Sequence, residues 1–161
     1  MIISYNGIKI KKLSNEELKI KLSESFPSAT FEDGTEWITI LIEPVLWRSL
    51  AQGLRSGFDL DFLFCVTCVD WKTHLTMVYH LRSTTQKDIV VVKSKVNRDD
   101  PQISTVSDIW RTAEFHEREA YDLFGVQFID HPDLRRLFLT DEYEGFPLRK
   151  DFEDPVNMIK L

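Results

Sequence analysis

The chain has 161 residues, 43% of them hydrophobic, which is the length of one domain with enough apolar material for a core. Its net charge of -6 argues against a nucleic-acid binder, which would present a basic face. No apolar run approaches the roughly 18–20 residues that span a bilayer, two cysteines make no disulfide framework, and the start Met1-Ile2-Ile3-Ser4-Tyr5-Asn6 lacks the pattern of a signal peptide. The expectation is a soluble, cytoplasmic chain that meets a membrane only through partners.

Ser14-Asn15-Glu16-Glu17 reads as a capping box, with Leu13 and Leu18 as the hydrophobic staple around it. Leu18, Leu22 and Phe26 continue as a helical stripe that Pro27 ends. Residues 36–42 read as a strand. Pro44 suits the first turn of a second helix whose apolar face is Trp47, Leu50, Ala51 and Leu54, with Gly57 after its end.

Three further strands follow. Residues 60–69 are apolar on both faces, Phe62, Phe64 and Val66 against Leu63, Cys65 and Val69, which predicts a central strand covered on both sides. Residues 74–82 alternate, Leu75, Met77, Tyr79 and Leu81 against His74, Thr76, His80 and Arg82, which predicts one wet face. Residues 88–96 make the last strand, and the short connections favour antiparallel neighbours. A third helix is expected from about Thr105 to Phe124, stopped by Gly125. The order predicts an α+β domain over residues 1–130: a mostly antiparallel sheet packed with helices.

Beyond residue 130 the periodicity fails. Pro132, Pro147 and Pro155 interrupt a segment too long for an ordinary loop. Leu134, Leu137, Phe138, Leu139, Tyr143, Phe146 and Leu148 make it too apolar for a solvated tail. Residues 131–161 therefore read as an extended C-terminal arm that buries side chains on its own domain or on a partner.

Candidate chemistry is sparse. Cys65-Val66-Thr67-Cys68 has redox or metal spacing, but residues three apart in a strand point to opposite faces, so core packing is the better reading. His116-Glu117-Arg118-Glu119-Ala120 begins like a zinc-protease motif and lacks its second histidine. Glu117 and Glu119 lie roughly 200° apart on a helix and cannot share a substrate. Glu114, Arg118 and Asp122 read as an i, i+4 ladder. Val106, Ile109, Trp110, Ala113, Ala120 and Phe124 form the helix's apolar stripe, and Glu117 falls in line with it, where a carboxylate needs a partner. Either it meets an arginine (Arg135, Arg136, Arg149 or one from another chain), or the stripe ends early and Glu117 is wet. Arg135-Arg136 and Arg149-Lys150 could hold phosphate, but the surrounding acids favour ion pairing. No nucleotide-binding glycine loop and no cysteine set for an Fe–S cluster is present, so no catalytic, cofactor-binding or metal residue is assigned.

Three blocks carry a resemblance: Glu117-Arg118-Glu119-Ala120-Tyr121-Asp122-Leu123-Phe124, then His131 through Arg135-Arg136-Leu137, then Gly145-Phe146-Pro147-Leu148-Arg149-Lys150-Asp151-Phe152. Together they resemble the 30-kDa subunit family of respiratory complex I, the C subunit of bacterial NADH:quinone oxidoreductases. Phe138 departs from the aliphatic residue expected there. The resemblance covers residues 114–153; the preceding hundred match in length and element order. It implies a cofactor-free scaffold subunit of the peripheral arm, on the cytoplasmic side of the bacterial inner membrane. It also implies FMN and Fe–S clusters in partner subunits, and packing of the C-terminal region on the large 49-kDa (D) subunit. The implied partner-contact residues are Glu117, Arg118, Glu119 and Asp122 on the helix, with Arg135, Arg136, Arg149, Lys150 and Asp151 on the arm. Two other readings stand beside it: the equivalent subunit of a membrane-bound hydrogenase or of an F420H2- or ferredoxin-dependent complex, and a free-standing small enzyme.

Overall fold

The computed structural model describes the backbone of residues 2–5 and 8–11 and all of residues 14–154. Strands β1 (Ile2–Tyr5) and β2 (Ile8–Lys11) pair antiparallel. Helix α1 (Asn15–Ser25) begins with the capping box expected there: the Glu17 amide donates to Ser14 Oγ at 3.1 Å and the Ser14 amide to Glu17 Oε2 at 2.8 Å. The staple partner Leu13 lies outside the described residues. Leu18 and Leu22 are buried, and the helix stops just before Pro27 disfavours helical backbone at Phe26. Helix α2 (Pro44–Gly57) starts on Pro44 and buries Trp47, Leu50, Ala51 and Leu54, as the sequence predicts; Gly57 is its last residue rather than the one after it.

Five strands form the main sheet: β3 (Thr30–Glu32), β4 (Ile38–Ile42), β5 (Phe62–Asp70), β6 (Leu75–Arg82) and β7 (Ile89–Val96), in the order β3-β4-β7-β6-β5. Only β4 and β7 run parallel, joined by the long path through α2, β5 and β6. The α+β class with a mostly antiparallel sheet is therefore correct.

Two strand expectations need correction. β5 is an edge strand, not a central one. Its two-faced apolar pattern arises because the register shifts between Leu63 and Cys65: Leu63 pairs with Leu81 and Val66 with Tyr79, so both face the same core. β6 lies inside the sheet with neighbours on both sides, and its expected wet face is largely covered, with Thr76 7% and Val78 8% exposed. The core lies on the other face, where Leu75, Met77, Tyr79 and Leu81 meet the helices and Trp47 stacks on Tyr79 at 4.1 Å.

The third helix is also shorter than expected. α3 spans Ala113–Phe124. The segment before it holds β8 (Gln102–Ser104), which pairs parallel with β9 (Gln127–Ile129), and a run of turns. Those turns mimic helical spacing because the Ile109 and Trp110 amides both donate to the Val106 carbonyl. Trp110 Nε1 and Thr112 Oγ1 then donate to the Leu60 and Leu63 carbonyls, pinning the turns to β5. Val106 and Trp110 are buried as the apolar spacing suggested, but by turns instead of by helix.

Gly125 ends α3 in the left-handed region, φ 76°, with its amide on the Tyr121 carbonyl at 2.9 Å. A Cβ there would also lie 2.5 Å from the ring of Phe146. Gly125→Ala is expected to lower folding stability by about 1–2 kcal/mol from backbone strain alone, and further because a rigid ring must move. Urea denaturation of the two proteins checks this.

Candidate functional site

Helix α3 carries two carboxylates that point inward, and both are fully buried: Glu117 and Asp122. Their surroundings differ. Asp122 accepts the amides of Leu137, Phe138 and Leu139 on one oxygen, at 2.9, 2.7 and 3.0 Å, and Arg136 Nη1 on the other at 2.9 Å. Burial alone would raise its pKa; the amides of Phe138, Leu139 and Leu137 and the Arg136 guanidinium outweigh that and hold it lowered. One helical turn earlier, Arg118 Nε donates to the Arg135 carbonyl and Nη2 to the Arg136 carbonyl, at 3.2 and 3.1 Å. The helix thus presents an anion to the arm's amides and a cation to its carbonyls. The expected ladder of Glu114, Arg118 and Asp122 is not how these residues are used; Arg118 and Asp122 turn to residues 135–139 instead.

Residues 130–154 contain no helix or strand, yet they are closely tied to the domain. After residue 139 the arm follows the end of α3. The Leu148 amide donates to the Leu123 carbonyl at 3.1 Å, and Arg149 Nε to the Phe124 carbonyl at 2.7 Å. Phe146 packs over Gly125, with the Arg149 guanidinium 4.9 Å and that of Arg136 5.7 Å from its ring centre. The arm then reaches the end of β5. Asp70, buried there, accepts the Lys150 amide at 2.8 Å and two bonds from Arg98 at 2.9 Å; Arg98 also binds Asp151. The Arg98 guanidinium holds the Asp70 carboxyl well below the usual range.

Among the described residues Glu117 meets no arginine, and it is fully buried rather than wet. It accepts the Val106 amide at 2.9 Å and bonds the Thr105 hydroxyl. The nearest arm group is the buried ring of His131, whose Nε2 lies 3.8 Å away. The Asp133 amide donates to His131 Nδ1, so that nitrogen carries a lone pair, and the proton on Nε2 faces the Glu114 carbonyl at 3.1 Å. Burial, only partly offset by Thr105 and Val106, pushes Glu117 up to about 7.

Of the nine expected contact residues, Glu117, Arg118 and Asp122 are buried and hydrogen-bonded inside this chain. Arg136, Arg149, Lys150 and Asp151 bind α3 or the Asp70 corner. Arg135 pairs with Asp133 at 2.9 Å on the surface, and Glu119 is exposed. Sequence reasoning missed Asp70, Arg98 and Thr105. Asp70 had a signal, an acid closing a long apolar strand; Arg98 and Thr105 had none. Cys65 and Cys68 pair with opposite-facing positions of β6, and burial pushes the Cys68 thiol up to about 12. Among the described residues no group of three or more His, Cys, Asp or Glu is placed to hold a metal ion, and no helix is long and apolar enough to cross a membrane.

Residues 40–156 match the family described as respiratory-chain NADH dehydrogenase, 30 Kd subunit. The chain belongs to this family. The match runs from β4 through the whole described arm, so it reaches well before the motifs at 114–153 that suggested it. Among 30-kDa subunit relatives, the NADH-quinone oxidoreductase C subunit of Citrifermentans bemidjiense is 36% identical over 86% of this chain and 89% of that protein. The NADH-quinone oxidoreductase C/D subunit of Phocaeicola vulgatus is 49% identical over 67% of this chain, which spans about a fifth of that longer protein (21%). Among solved structures, a trypsin-resistant fragment of Nqo5 aligns with TM-score 0.66 and 26% identity over 75% of this chain and 100% of the fragment. A chain of the membrane-bound sulfane sulfur reductase, an archaeal respiratory membrane complex, aligns with TM-score 0.76 and 28% identity over 86% and 85%.

The raised pKa of Glu117 fixes a sign. The folded state prefers the protonated form, so Glu117 costs stability progressively as pH rises from about 4.5 to about 7. Glu117→Gln keeps an acceptor for Val106 without the charge. Relative to the unsubstituted protein it is expected to be more stable at pH 8 by on the order of 2 kcal/mol, with the gain shrinking toward pH 5. Urea midpoints of both proteins at the two pH values measure it; an equal difference at both would contradict a titrating Glu117.

Proposed function

We propose that this chain is a cofactor-free docking subunit in the peripheral arm of an NADH:quinone oxidoreductase. In that role it would support electron transfer from NADH to quinone, coupled to proton translocation by the whole assembly, without a catalytic site of its own. FMN and Fe–S clusters would reside in partner subunits, and the chain would sit on the cytoplasmic side of the bacterial inner membrane, held there by the complex.

The observation that carries this reading is the division of labour along the arm. Several of its backbone amides, with the Arg136 and Arg149 side chains, turn inward to α3 and Asp70. Two of its large apolar side chains stay out, Phe138 at 65% and Leu148 at 52% exposed, and Phe115 of α3 is 57% exposed as well. Apolar residues on a segment this firmly anchored suit a surface that another protein of the assembly covers. A relative whose name joins C and D supports the large D subunit as that partner. Likeness to a chain of a sulfane sulfur reductase also supports a second reading, the same scaffold in a related membrane complex. The relative named as a C subunit, matched over 89% of its length, favours the NADH and quinone pair.

Phe138→Glu with Leu148→Glu is expected to leave the chain folded while preventing its co-purification with cluster-bearing subunits from native membranes. Thermal unfolding of the isolated variant and affinity purification of a tagged copy supply the two readouts. Normal incorporation of the folded variant would show that this face is not the docking surface.

A further inference from the structure

Two hydroxyls join the buried Glu117 carboxyl to the surface. Thr105 Oγ1 is bonded to Glu117 Oε2 on one side and to Ser107 Oγ, at 2.9 Å, on the other. Glu117 and Thr105 are buried, whereas Ser107 is half-buried and Asp108 beside it is exposed. The hydroxyls are held in place by their backbone. The Thr105 carbonyl accepts Arg48 Nη1 at 2.8 Å, and the Thr105 amide donates to the Ile129 carbonyl at 2.9 Å. The Ser107 amide donates to Thr105 Oγ1 at 3.2 Å.

We propose that Glu117, Thr105 and Ser107 form a proton relay, through which the buried carboxyl exchanges its proton with solvent while the arm stays closed. The hydrogens decide it. The Thr105 hydroxyl has one hydrogen and two acceptors, Glu117 Oε2 and Ser107 Oγ. With Glu117 protonated, its O–H donates to Thr105 and Thr105 donates to Ser107. With Glu117 ionised, Ser107 donates to Thr105 and Thr105 donates to the carboxylate. One concerted shift connects the two arrangements. The carboxyl proton passes to Thr105 Oγ1, the Thr105 proton passes to Ser107 Oγ, and the Ser107 proton leaves to water. Every group in the chain keeps a partner before and after. Among the described residues, the other sides of the carboxyl offer no such path. The Val106 amide occupies Oε1, both ring nitrogens of His131 are engaged by the Glu114 carbonyl and the Asp133 amide, and Tyr79 of β6 is sealed in the core. The charges that bear on Glu117 are Asp108, which disfavours its ionisation, and Arg48 of α2, which favours it; the two are bonded to each other at 2.7 and 3.0 Å. Burial places the carboxyl at about 7, so its proton is taken up and released near neutral pH. The relay lies wholly within this chain and stands whether or not Phe138 and Leu148 meet a partner.

Hydrogen exchange of the carboxyl itself, in the full chain, tests it. At about pH 6 Glu117 is protonated while ordinary carboxyls are ionised. Its C=O stretch then stands apart in the infrared and is identified by its loss in Glu117→Gln. Rapid dilution into heavy water shifts this band as the proton exchanges. Ser107→Ala is expected to slow the shift at least about tenfold, because exchange must then wait for local opening, and to leave the Glu117 titration midpoint where it was. Ser107→Thr is expected to restore the rate. Thr105→Val is expected to slow exchange and also to raise the midpoint, since the Thr105 hydrogen bond lowers it. The Val106 amide, bonded to the same carboxyl, reports opening in the same samples and is expected to exchange alike in Ser107→Ala and the unsubstituted chain. An unchanged carboxyl rate in Ser107→Ala would overturn the proposal. So would slowing that Ser107→Thr does not reverse, a Val106 amide that slows in parallel, or the absence of a Glu117 carboxyl band.

Discussion

One carboxylate organises the arm. Asp122 is fully buried and accepts four hydrogen bonds, three from consecutive backbone amides and one from Arg136. A buried charge is tolerable only when its lone pairs are satisfied, so the path of residues 136–139 is set by the position of Asp122 on α3. The dependence is mutual. Without those donors the carboxylate would be an uncompensated buried charge, a defect that typically costs about 3–5 kcal/mol. A segment with no helix or strand thereby gains a defined course from side chain to backbone bonding alone.

The other contacts extend that arrangement in both directions. Upstream, Arg118 holds the carbonyls of Arg135 and Arg136, and buried His131 sits beside Glu117. Downstream, Phe146 needs the space left by Gly125, and Asp70 with Arg98 closes the arm against the end of β5. Asp70 and Asp122 both have lowered pKa values, so the stability they add is present above the ordinary carboxylate range and is lost as pH falls through their folded values. Glu117 acts in the opposite sense, favouring the folded state in its protonated form. Several backbone amides and two arginines of the arm are thus used inside the chain, while Phe138 and Leu148 remain on its outward face.

The sequence made local features legible where one residue type has one physical use. Ser14 and Glu17 could cap only a helix start, Pro44 suited a first turn, and Gly125 supplied the left-handed backbone that ends α3. Patterns with two physical causes misled. The apolar faces of residues 60–69 signalled a covered central strand, yet a register shift at an edge strand produces the same pattern. The spacing of Val106, Ile109 and Trp110 signalled a helix, but successive turns bury the same residues. Glu117 was legible as a carboxylate in line with the apolar stripe, whereas its burial and its partners were not, since Thr105 and His131 approach it only through the fold. The same holds for Arg118 and Asp122: their spacing suggested a surface ladder, and only the returning arm reveals that they bind backbone. The blocks at 117–124, 131–137 and 145–152 carried the family because they contain both sides of these contacts.

The central claim is that Asp122 fastens the arm to α3 within this chain. Amide hydrogen exchange at Leu137, Phe138 and Leu139, measured on the free chain and on Asp122→Asn near pH 7, tests it most directly. The account predicts marked protection of all three amides in the free chain, lost together in the variant while the amides of β6 and β7 stay protected. Exchange of these three at unprotected rates in the unsubstituted chain would contradict it, and would mean that the arm takes its course only on a partner.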